Sequence, residues 1–295
     1  MKYIILLIIS CAVGVSLHAQ EVNKEISIEG ESPFLLGKID KTGLTSSSYK
    51  SWFYKNYDDY SLDETTINAI GKALNEYSIK LFMGTWCGDS KREVPRFYKI
   101  LEACSFPENQ LSVIALGRKR GMYKKSPNHE EAGLNIHRVP TFIFYKDGIE
   151  VNRIVEHPVE SLEKDILKIV TSNNYKSNYQ IVSTVDDILK HDGLNGLKKR
   201  SKKLVKTFDG KVSNMFELNT YGNILYTINN KEEAIAVFKL NNMLFPDKPR
   251  TYMSLANVLG ANKRKEEAIT VLKRAVKLFP ENRDLVENLQ VIKSN

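Results

Sequence analysis

The 295-residue sequence predicts an α/β domain, with a central mixed sheet flanked by helices, followed by an all-α domain of helical repeats. Three observations predict this order. An apolar run at residues 79–85 precedes a stretch with helical spacing at residues 91–104. Two strand-like runs, residues 141–145 and 149–154, flank an Asp-Gly turn. The C-terminal part repeats itself with a period of 34 residues.

The first residues determine where the protein is expected to act. A short basic start at Lys2 and an apolar stretch that ends at Ala19 are typical of a secretory signal peptide, so residues 1–19 are expected to be removed on export to a periplasm. Residues 8–11 also fit a lipoprotein cleavage box, but anchoring through Cys11 is less favoured because apolar residues continue beyond it. No other segment has the roughly twenty apolar residues that a membrane-spanning helix needs.

The stretch Trp86-Cys87-Gly88-Asp89-Ser90 lies where the predicted strand passes into the predicted helix. A cysteine at a helix N-terminus faces unpaired N–H groups, including that of Gly88, and the positive end of the helix dipole. Both favour the thiolate, which is the reactive form of cysteine. A hydrogen bond from Ser90 would act in the same direction, whereas the negative charge of Asp89 opposes it. Cys87 is therefore a candidate nucleophile.

These residues resemble the active site of the thioredoxin superfamily, whose members usually carry Trp-Cys-x-x-Cys between the first core strand and its helix. Val139-Pro140 lies at the position of the family's cis-proline, which abuts the reactive thiol, and Pro95 matches the proline within the active-site helix. The strand, turn, strand and helix that follow Pro140 complete the resemblance, which covers residues 31–172. It implies a thioredoxin-like fold.

Two departures from the family pattern affect the expected chemistry. Ser90 replaces the resolving cysteine, so exchange at Cys87 would stop at a mixed disulfide until an external thiol attacked it. Leu81 occupies the position of a carboxylate that many members bury beneath the thiols. Cys104 follows seventeen residues later, about 25 Å along the same helix. Because a disulfide needs Cα atoms within about 7 Å, Cys104 is expected to be a packed helix-end residue.

The resemblance implies monothiol thiol–disulfide exchange, of an isomerase or substrate-capturing type, on the thiols and disulfides of exported proteins. An external thiol is the expected reductant, and no cofactor is implied. The alternative is a non-catalytic adaptor, in which a degenerate thioredoxin fold only binds proteins. The expected catalytic residues are Cys87, Ser90 and Pro140, and the expected substrate-facing residues are Trp86, Gly88, Asp89 and Val139.

The C-terminal part contains two aligned segments, residues 216–248 and 250–282. The period is that of tetratricopeptide repeats, which predicts two antiparallel helices in each unit and a concave surface for a peptide or protein that the sequence does not identify. The region also resembles a helical module at the ends of secreted proteins of the Bacteroidetes. The predicted organisation is a thioredoxin-like domain with an N-terminal extension (20–172), a linker (173–184) and a helical domain (185–295). The matching pairs are Tyr221 with Leu255, Gly222 with Ala256, Leu225 with Leu259, Ala234 with Ala268, Phe238 with Leu272, and Pro246 with Pro280.

The formal charge of +8 comes partly from basic runs at residues 118–120, 124–125 and 198–206. No nucleic-acid motif accompanies these runs, and export argues against nucleic acid as a partner, so a solvated face is expected. The five histidines show no metal-ligand spacing, which argues against a metal site, and His137 is expected to be a loop residue. The aromatic segment 49–60 is expected to attach the N-terminal extension to the sheet, with a substrate groove as the alternative.

Overall fold

The computed structural model describes residues 21–119, 121–172 and 174–294. The expected signal peptide, residues 1–19, and the alternative lipoprotein cysteine, Cys11, lie outside the described residues. The strands are β1 (Glu25–Ile28), β2 (Glu31–Leu35), β3 (Gly37–Ile39), β4 (Ser78–Met83), β5 (Leu111–Ala115), β6 (Thr141–Lys146) and β7 (Ile149–Val155). The helices are α1 (Lys41–Leu44), α2 (Lys50–Asp58), α3 (Glu64–Leu74), α4 (Gly88–Ala103), α5 (Leu162–Thr171), α6 (Gln180–Phe208), α7 (Phe216–Thr227), α8 (Lys231–Leu244), α9 (Pro249–Ala261), α10 (Lys265–Leu278) and α11 (Arg283–Ser294).

The main sheet is mixed and has the strand order β3-β5-β4-β6-β7. Its central strand, β4, runs parallel to β5 and antiparallel to β6, and the remaining pairs are antiparallel. Strands β1 and β2 form a separate antiparallel pair. Helix α4 begins at Gly88, three residues before the predicted start at residue 91, because its first turn is polar and lacks the apolar spacing on which the prediction depended. The mixed sheet places the end of β4 in the middle of one sheet edge.

One face of the sheet is covered by helices α2 to α5 and contains the larger hydrophobic cluster. Successive side chains of a strand point to opposite faces, so Ile79, Leu81 and Met83 of β4 share this cluster. Phe97 of α4 packs on the sheet at 4.5 Å between its ring centre and that of Phe142 in β6. Burial of this apolar face fixes which side of the sheet α4 occupies, and therefore where its N-terminus lies.

The opposite face carries a smaller cluster that includes Trp86 and Cys87 at its edge. None of its buried members comes from a helix. The cover on this side is the irregular segment between β5 and β6. The prediction of a sheet flanked by helices thus describes the first face, whereas a loop covers the face that carries the cysteine. The buried members are Phe82, Ile114, Leu116, Ile136, Val139 and Ile143.

The aromatic segment before the sheet forms α2 and packs on helix α4, so it attaches the N-terminal extension to this helix rather than to the sheet as expected. Phe53 is fully buried, and its ring centre lies 6.0 Å from that of Tyr98 in α4. Tyr49 is buried in the same cluster, whereas Trp52 is only partly buried. Because Tyr49 and Trp52 also line a cavity beside Trp86, the groove interpretation retains support from the same residues.

The 34-residue period is present in the helices themselves. Helix α8 begins at Lys231 and ends at Leu244, and α10 begins at Lys265 and ends at Leu278, so both bounds are offset by 34 residues. The equivalent alanines, Ala234 and Ala268, are fully buried in one cluster. The prediction of paired helices at this period is confirmed.

Close crossing of helices within the first repeat depends on Gly222 of α7. A Cβ atom at this position would lie 2.9 Å from the ring of Phe238 in α8, closer than such contacts normally come. Helix α6 precedes the repeats and is interrupted at Gly193, where φ is 63°. It begins at Gln180, inside the stretch expected to be a linker. Within the described residues, no helix has both the length and the apolar character required to cross a membrane.

Candidate active site around Cys87

Cys87 lies at the junction between the central strand β4 and helix α4. Its backbone is extended (φ −91°, ψ 130°), and its carbonyl oxygen accepts a hydrogen bond from the Lys91 N–H at 3.0 Å. The first-turn amides of α4 therefore lack partners within the helix and carry the positive end of its dipole. The Cys87 side chain is half-buried. The structure thus has the strand–cysteine–helix arrangement on which the candidate nucleophile depends.

The register of the sheet explains why a second, distant segment meets Cys87. Phe82 of β4 lies opposite Thr141 of β6 in an antiparallel pair, so the chain that leaves β4 runs beside the chain that enters β6. The Cys87 thiol donates a hydrogen bond to the Val139 carbonyl oxygen at 3.2 Å. The Val139–Pro140 peptide bond is cis, and both residues are buried. The structure therefore brings together the two segments on which the resemblance rests.

Trp86 forms a wall beside Cys87. Its indole Nε1–H donates to the Leu116 carbonyl oxygen at 2.8 Å, and its ring centre lies 5.6 Å from that of Tyr123. The indole packs closely against the backbone of Gly84. A Cβ atom at this residue would lie only 2.6 Å from the ring. The position of the indole thus depends on a glycine two residues before it.

Ser90 supports this turn rather than the sulfur. Its side chain is fully buried, and its hydroxyl oxygen accepts a hydrogen bond from the Gly84 N–H at 3.2 Å. The expected bond between Ser90 and the sulfur of Cys87 is not among the hydrogen bonds of the described residues. Sequence reasoning counted residues along the helix, but it did not show that the buried N–H of Gly84 needs an acceptor at this place.

The charge of Asp89 is compensated within the first turns of α4. Its carboxylate lies 2.7 Å from the guanidinium of Arg92, which also contacts the buried Glu93 at 2.6 Å. The expectation that Asp89 places an uncompensated negative charge beside Cys87 is therefore wrong. Gly88 is exposed, and among the described residues no atom beyond its chain neighbours and its own helix backbone lies within 4 Å of the place where a Cβ atom would be. The amides at the start of α4 are therefore open to approach.

Lys124 is a residue near Cys87 that the sequence interpretation missed. Its side chain is only 6% exposed, and its ammonium donates to the carbonyl oxygen of His137, two residues before the carbonyl that binds Cys87. Burial lowers the pKa of Lys124 to about 8; the charge of Arg138 acts in the same direction, whereas those of Glu156 and Cys87 act against it. A cation is thus held close to the sulfur.

The expectation of a solvated basic face is wrong for Lys124. The backbone at this residue is left-handed, with φ at 56°, and a bridge between Gly117 and Tyr123 turns the chain back on itself. The segment has neither helical nor strand periodicity, so sequence patterns carry no signal of which side chains point inward. The pair Lys124-Lys125 looks like any exposed basic pair until the loop is folded.

Arg138 attaches the Val139–Pro140 segment to the helical part of the chain. Its guanidinium lies 3.1 Å from the Glu156 carboxylate and donates to the Phe216 carbonyl oxygen at 3.4 Å. It also lies 5.0 Å from the ring centre of Tyr179. Tyr179, the residue before α6, and Phe216, the first residue of α7, therefore contact the loop directly beside the residue that binds the cysteine.

His137 belongs to the same loop, as predicted, but it is buried rather than exposed at a rim. Its ring centre lies 5.6 Å from that of Tyr179 and 6.4 Å from that of Tyr221, both edge-on. Burial lowers the pKa of His137 to about 3, so the ring is neutral at pH 7, and its Nδ1 lies 3.2 Å from the Asn135 carbonyl oxygen. The loop is thus packed between Cys87 and the helical part.

The other cysteine lies at the far end of α4. Cys104 is 8% exposed at the C-terminal cap, and burial raises its pKa, with the charge of Glu163 adding to the effect. Both cysteines of the described residues are free thiols. The prediction that Cys104 is a packed helix-end residue is confirmed. Leu81, an apolar residue of β4, is fully buried.

A metal centre has no candidate in the part of the chain that the structure describes. No three histidine, cysteine or carboxylate side chains in it are grouped so as to hold an ion.

Comparison with known proteins supports the C-terminal assignment. A family model described as tetratricopeptide repeat matches residues 249–282, the second of the two repeats. The chain thus carries a tetratricopeptide-type helical region, a class of structure that points to protein binding.

A formamidopyrimidine-DNA glycosylase of Wolbachia pipientis subsp. Culex pipiens (strain wPip) is 25% identical to this chain over 108 residues. The match covers 35% of this chain and 40% of that protein. The similarity therefore spans less than half of either protein.

Proposed function

We propose that this protein is an exported, thioredoxin-like monothiol protein whose Cys87 exchanges with the thiols and disulfides of other exported polypeptides. The observation that carries the proposal is the contact between Cys87, at the N-terminus of α4, and the Val139–Pro140 segment. The half-buried sulfur lies beside open first-turn amides and a buried lysine, Lys124. Such a setting favours a reactive cysteine over an inert one.

The reaction can be written with all atoms and electrons balanced. The Cys87 thiolate attacks one sulfur of a substrate disulfide, a new disulfide to Cys87 forms, and the other substrate sulfur leaves as a thiolate that takes up a proton. Attack by another thiolate of the same substrate then releases Cys87 and leaves a rearranged disulfide. This isomerisation needs no net oxidant or reductant. If external thiols perform the later attacks instead, the first attacks the Cys87 sulfur, so that the substrate leaves with both its cysteines as thiols and a disulfide between Cys87 and the external thiol forms. A second external thiol then attacks the external sulfur of that disulfide, which releases Cys87 and joins the two external thiols as their own disulfide.

The surrounding residues have distinct roles in this proposal. Trp86 and Val139 shape the surface on which a substrate backbone lies against the sulfur, and Pro140 holds that edge of the sheet. Ser90 maintains the turn and, having no thiol, leaves the mixed disulfide to be resolved from outside. The repeat region binds the partner polypeptide or a second protein, and the compartment is a periplasm.

Trapping of mixed disulfides tests the proposal. The full chain is expressed in its native organism, thiols are blocked with acid and an alkylating agent, and tagged protein is separated without reductant. We expect disulfide-linked partners with the wild type and with Cys104→Ser, and none with Cys87→Ser. Equal yields from Cys87→Ser would contradict the proposal, and so would no conjugates from the wild type.

The second candidate is a non-catalytic adaptor, which the tetratricopeptide match favours because that class of repeat binds proteins. The two candidates differ in the reactivity of Cys87. In an exchange protein, iodoacetamide should alkylate Cys87 of the folded chain faster at pH 7 than Cys87 of the urea-unfolded chain. An adaptor should show slower alkylation when folded, together with partner binding that Cys87→Ser retains.

A further inference from the structure

A cavity of about 350 Å³ lies beside Trp86. Three aromatic side chains, Tyr49, Trp52 and Trp86, contribute to its walls. Since Trp86 precedes Cys87 directly, this cavity borders the candidate site. Its volume falls in the range of pockets that hold parts of ligands, and aromatic walls supply apolar contact at a small entropic cost.

The charged residues of the cavity are all basic. Of the described residues that line it, none is acidic, and two are cations: Lys91 in the first turns of α4, and Arg118 after β5. Arg118 is held by Glu31 and by the carbonyl oxygen of Ser32, and its guanidinium lies over an aromatic ring. Lys91 is half-buried and has no ion pair or side-chain hydrogen bond among the described residues.

Two acids that neighbour the site in the sequence, Asp89 next to Gly88 and Glu31 next to Ser32, are paired with arginines. Asp89 is paired with Arg92 at 2.7 Å, and Glu31 with Arg118. Lys124, the other cation near Cys87, donates to the His137 carbonyl oxygen and does not line this cavity, so the cation that faces the cavity without a partner among the described residues is Lys91. A half-buried, unpaired cation of this kind is complementary to a carboxylate brought by a ligand.

Building on the proposed function, we infer that the cavity between Trp52, Trp86 and Lys91 receives a carboxylate-bearing segment of the substrate polypeptide, next to the cysteine that reacts with Cys87. The substrates are then proteins whose reactive cysteine has acidic neighbours in the sequence. The carboxylate pairs with Lys91, and the adjoining apolar side chain lies on the aromatic wall. Cys87 thus reacts with the cysteine of a substrate polypeptide while the cavity binds a neighbouring segment of the same polypeptide.

Three synthetic peptides with one leaving group test this inference. Each has the form X-Phe-Cys-X, with its cysteine activated as a pyridyl disulfide and X as Glu, Gln or Lys, and the release of thiopyridone reports attack by Cys87. At low ionic strength we expect the Glu peptide to react about tenfold faster than the Gln peptide, and the Lys peptide to react slowest. Because screening weakens exposed charge pairs, the ratio of the Glu to the Gln rate should fall in 0.5 M NaCl.

Variants of the full chain test whether the preference for the Glu peptide arises from the cavity. Lys91→Gln should bring the ratio of the Glu to the Gln rate close to one, and Lys91→Glu should make the Lys peptide the fastest. Lys277→Gln in α10, which removes an equal charge from an exposed position, should leave the wild-type ratio unchanged. Any effect of Lys91 on the reactivity of the Cys87 sulfur changes the Glu and Gln rates equally, so it cancels in their ratio.

The outcomes separate this inference from the proposed function. If all three peptides react at one rate in the wild type, the acidic preference is wrong while exchange at Cys87 stands. A preference that survives Lys91→Gln overturns the assignment to this cavity. If no peptide reacts faster than with Cys87→Ser, the proposed function itself fails and the inference fails with it.

Discussion

Cys87 and Lys124 are held by two carbonyl oxygens of the same loop, two residues apart. The Cys87 thiol donates to the Val139 oxygen at 3.2 Å, and the Lys124 ammonium donates to the His137 oxygen. One segment therefore carries the backbone that contacts the sulfur and the backbone that positions a buried cation near it. The same loop is packed against helices α6 and α7 on its other side. Reactivity at Cys87 is consequently expected to depend on residues outside the Trp-Cys-Gly-Asp-Ser stretch.

Removing the cation beside the sulfur should slow the reaction of Cys87. For Lys124→Met we expect the rate with the neutral disulfide 4,4′-dithiodipyridine at pH 7 to fall about three- to tenfold, because a nearby positive charge stabilises the thiolate. The neighbouring variant Lys125→Met removes the same charge from a half-buried position and serves as the control. Equal rates for the wild type and Lys124→Met would show that this lysine is only structural.

Buried His137 should make the protein sensitive to mild acid. Its pKa falls from 6.5 to about 3 on folding, so the unfolded chain binds more protons between these values and stability is lost as the pH falls through 6.5. We expect this group to reduce the free energy of unfolding by about 2 kcal/mol between pH 7 and pH 5. Urea titrations at pH 7 and at pH 5 measure this change in the free energy of unfolding.

Two variants isolate the contribution of this histidine. His137→Phe keeps an aromatic ring between Tyr179 and Tyr221 but cannot be protonated. Its free energy of unfolding should therefore fall by about 2 kcal/mol less than that of the wild type between pH 7 and pH 5. His129→Gln changes an exposed histidine and should lose as much as the wild type. The same acid sensitivity in His137→Phe as in the wild type would assign the effect to other groups.

Ser90→Ala should destabilise the turn that supports Trp86. The variant removes the acceptor of the buried Gly84 N–H, and an unsatisfied buried donor costs about 1–3 kcal/mol. Ser183→Ala, at a half-buried serine of α6, is the comparison. The free energies of unfolding come from urea titrations. A midpoint for Ser90→Ala that matches Ser183→Ala would mean that this hydrogen bond contributes little.

Two glycines of the helical part should respond in opposite ways to alanine. Gly222→Ala puts a methyl group 2.9 Å from the Phe238 ring, and overpacking of this kind costs about 1–3 kcal/mol. Gly260→Ala meets only Ile292, at 3.9 Å, so the higher helix propensity of alanine should stabilise the chain by up to about 1 kcal/mol. Thermal unfolding of both variants measures the contrast, and equal shifts would refute the close crossing at Gly222.

Local and periodic patterns made much of the architecture predictable. The apolar run of β4 and the spacing of Phe97 in α4 are consequences of burial on one face, and they appear directly in the sequence. The 34-residue period is visible because each repeat must present the same small side chains, such as Ala234 and Ala268, to its neighbours. The position of Cys87 was predictable from strand β4 and helix α4, since Cys87 lies between them.

The contacts made by irregular segments could not be predicted from local or periodic sequence patterns. Lys124 looks exposed in a basic pair, yet it is buried, and Ser90 looks aimed at the sulfur, yet it bonds to Gly84. The pairing of Asp89 with Arg92 compensates a charge that sequence reasoning left unopposed. In each case the partner is chosen by side-chain direction and loop path, which residue spacing does not encode.

By itself, the sequence determined the alternation of strand and helix around Cys87, the paired repeats and the absence of a second thiol in the Trp-Cys-Gly-Asp-Ser stretch. Only the tertiary structure decided that the loop before β6 lies between Cys87 and the helical part, that Lys124 is buried near the sulfur, and that Lys91 borders an aromatic cavity. The reason is physical. Periodic burial leaves its pattern in neighbouring residues, whereas the environment of a site is made by groups that meet only when distant segments pack together.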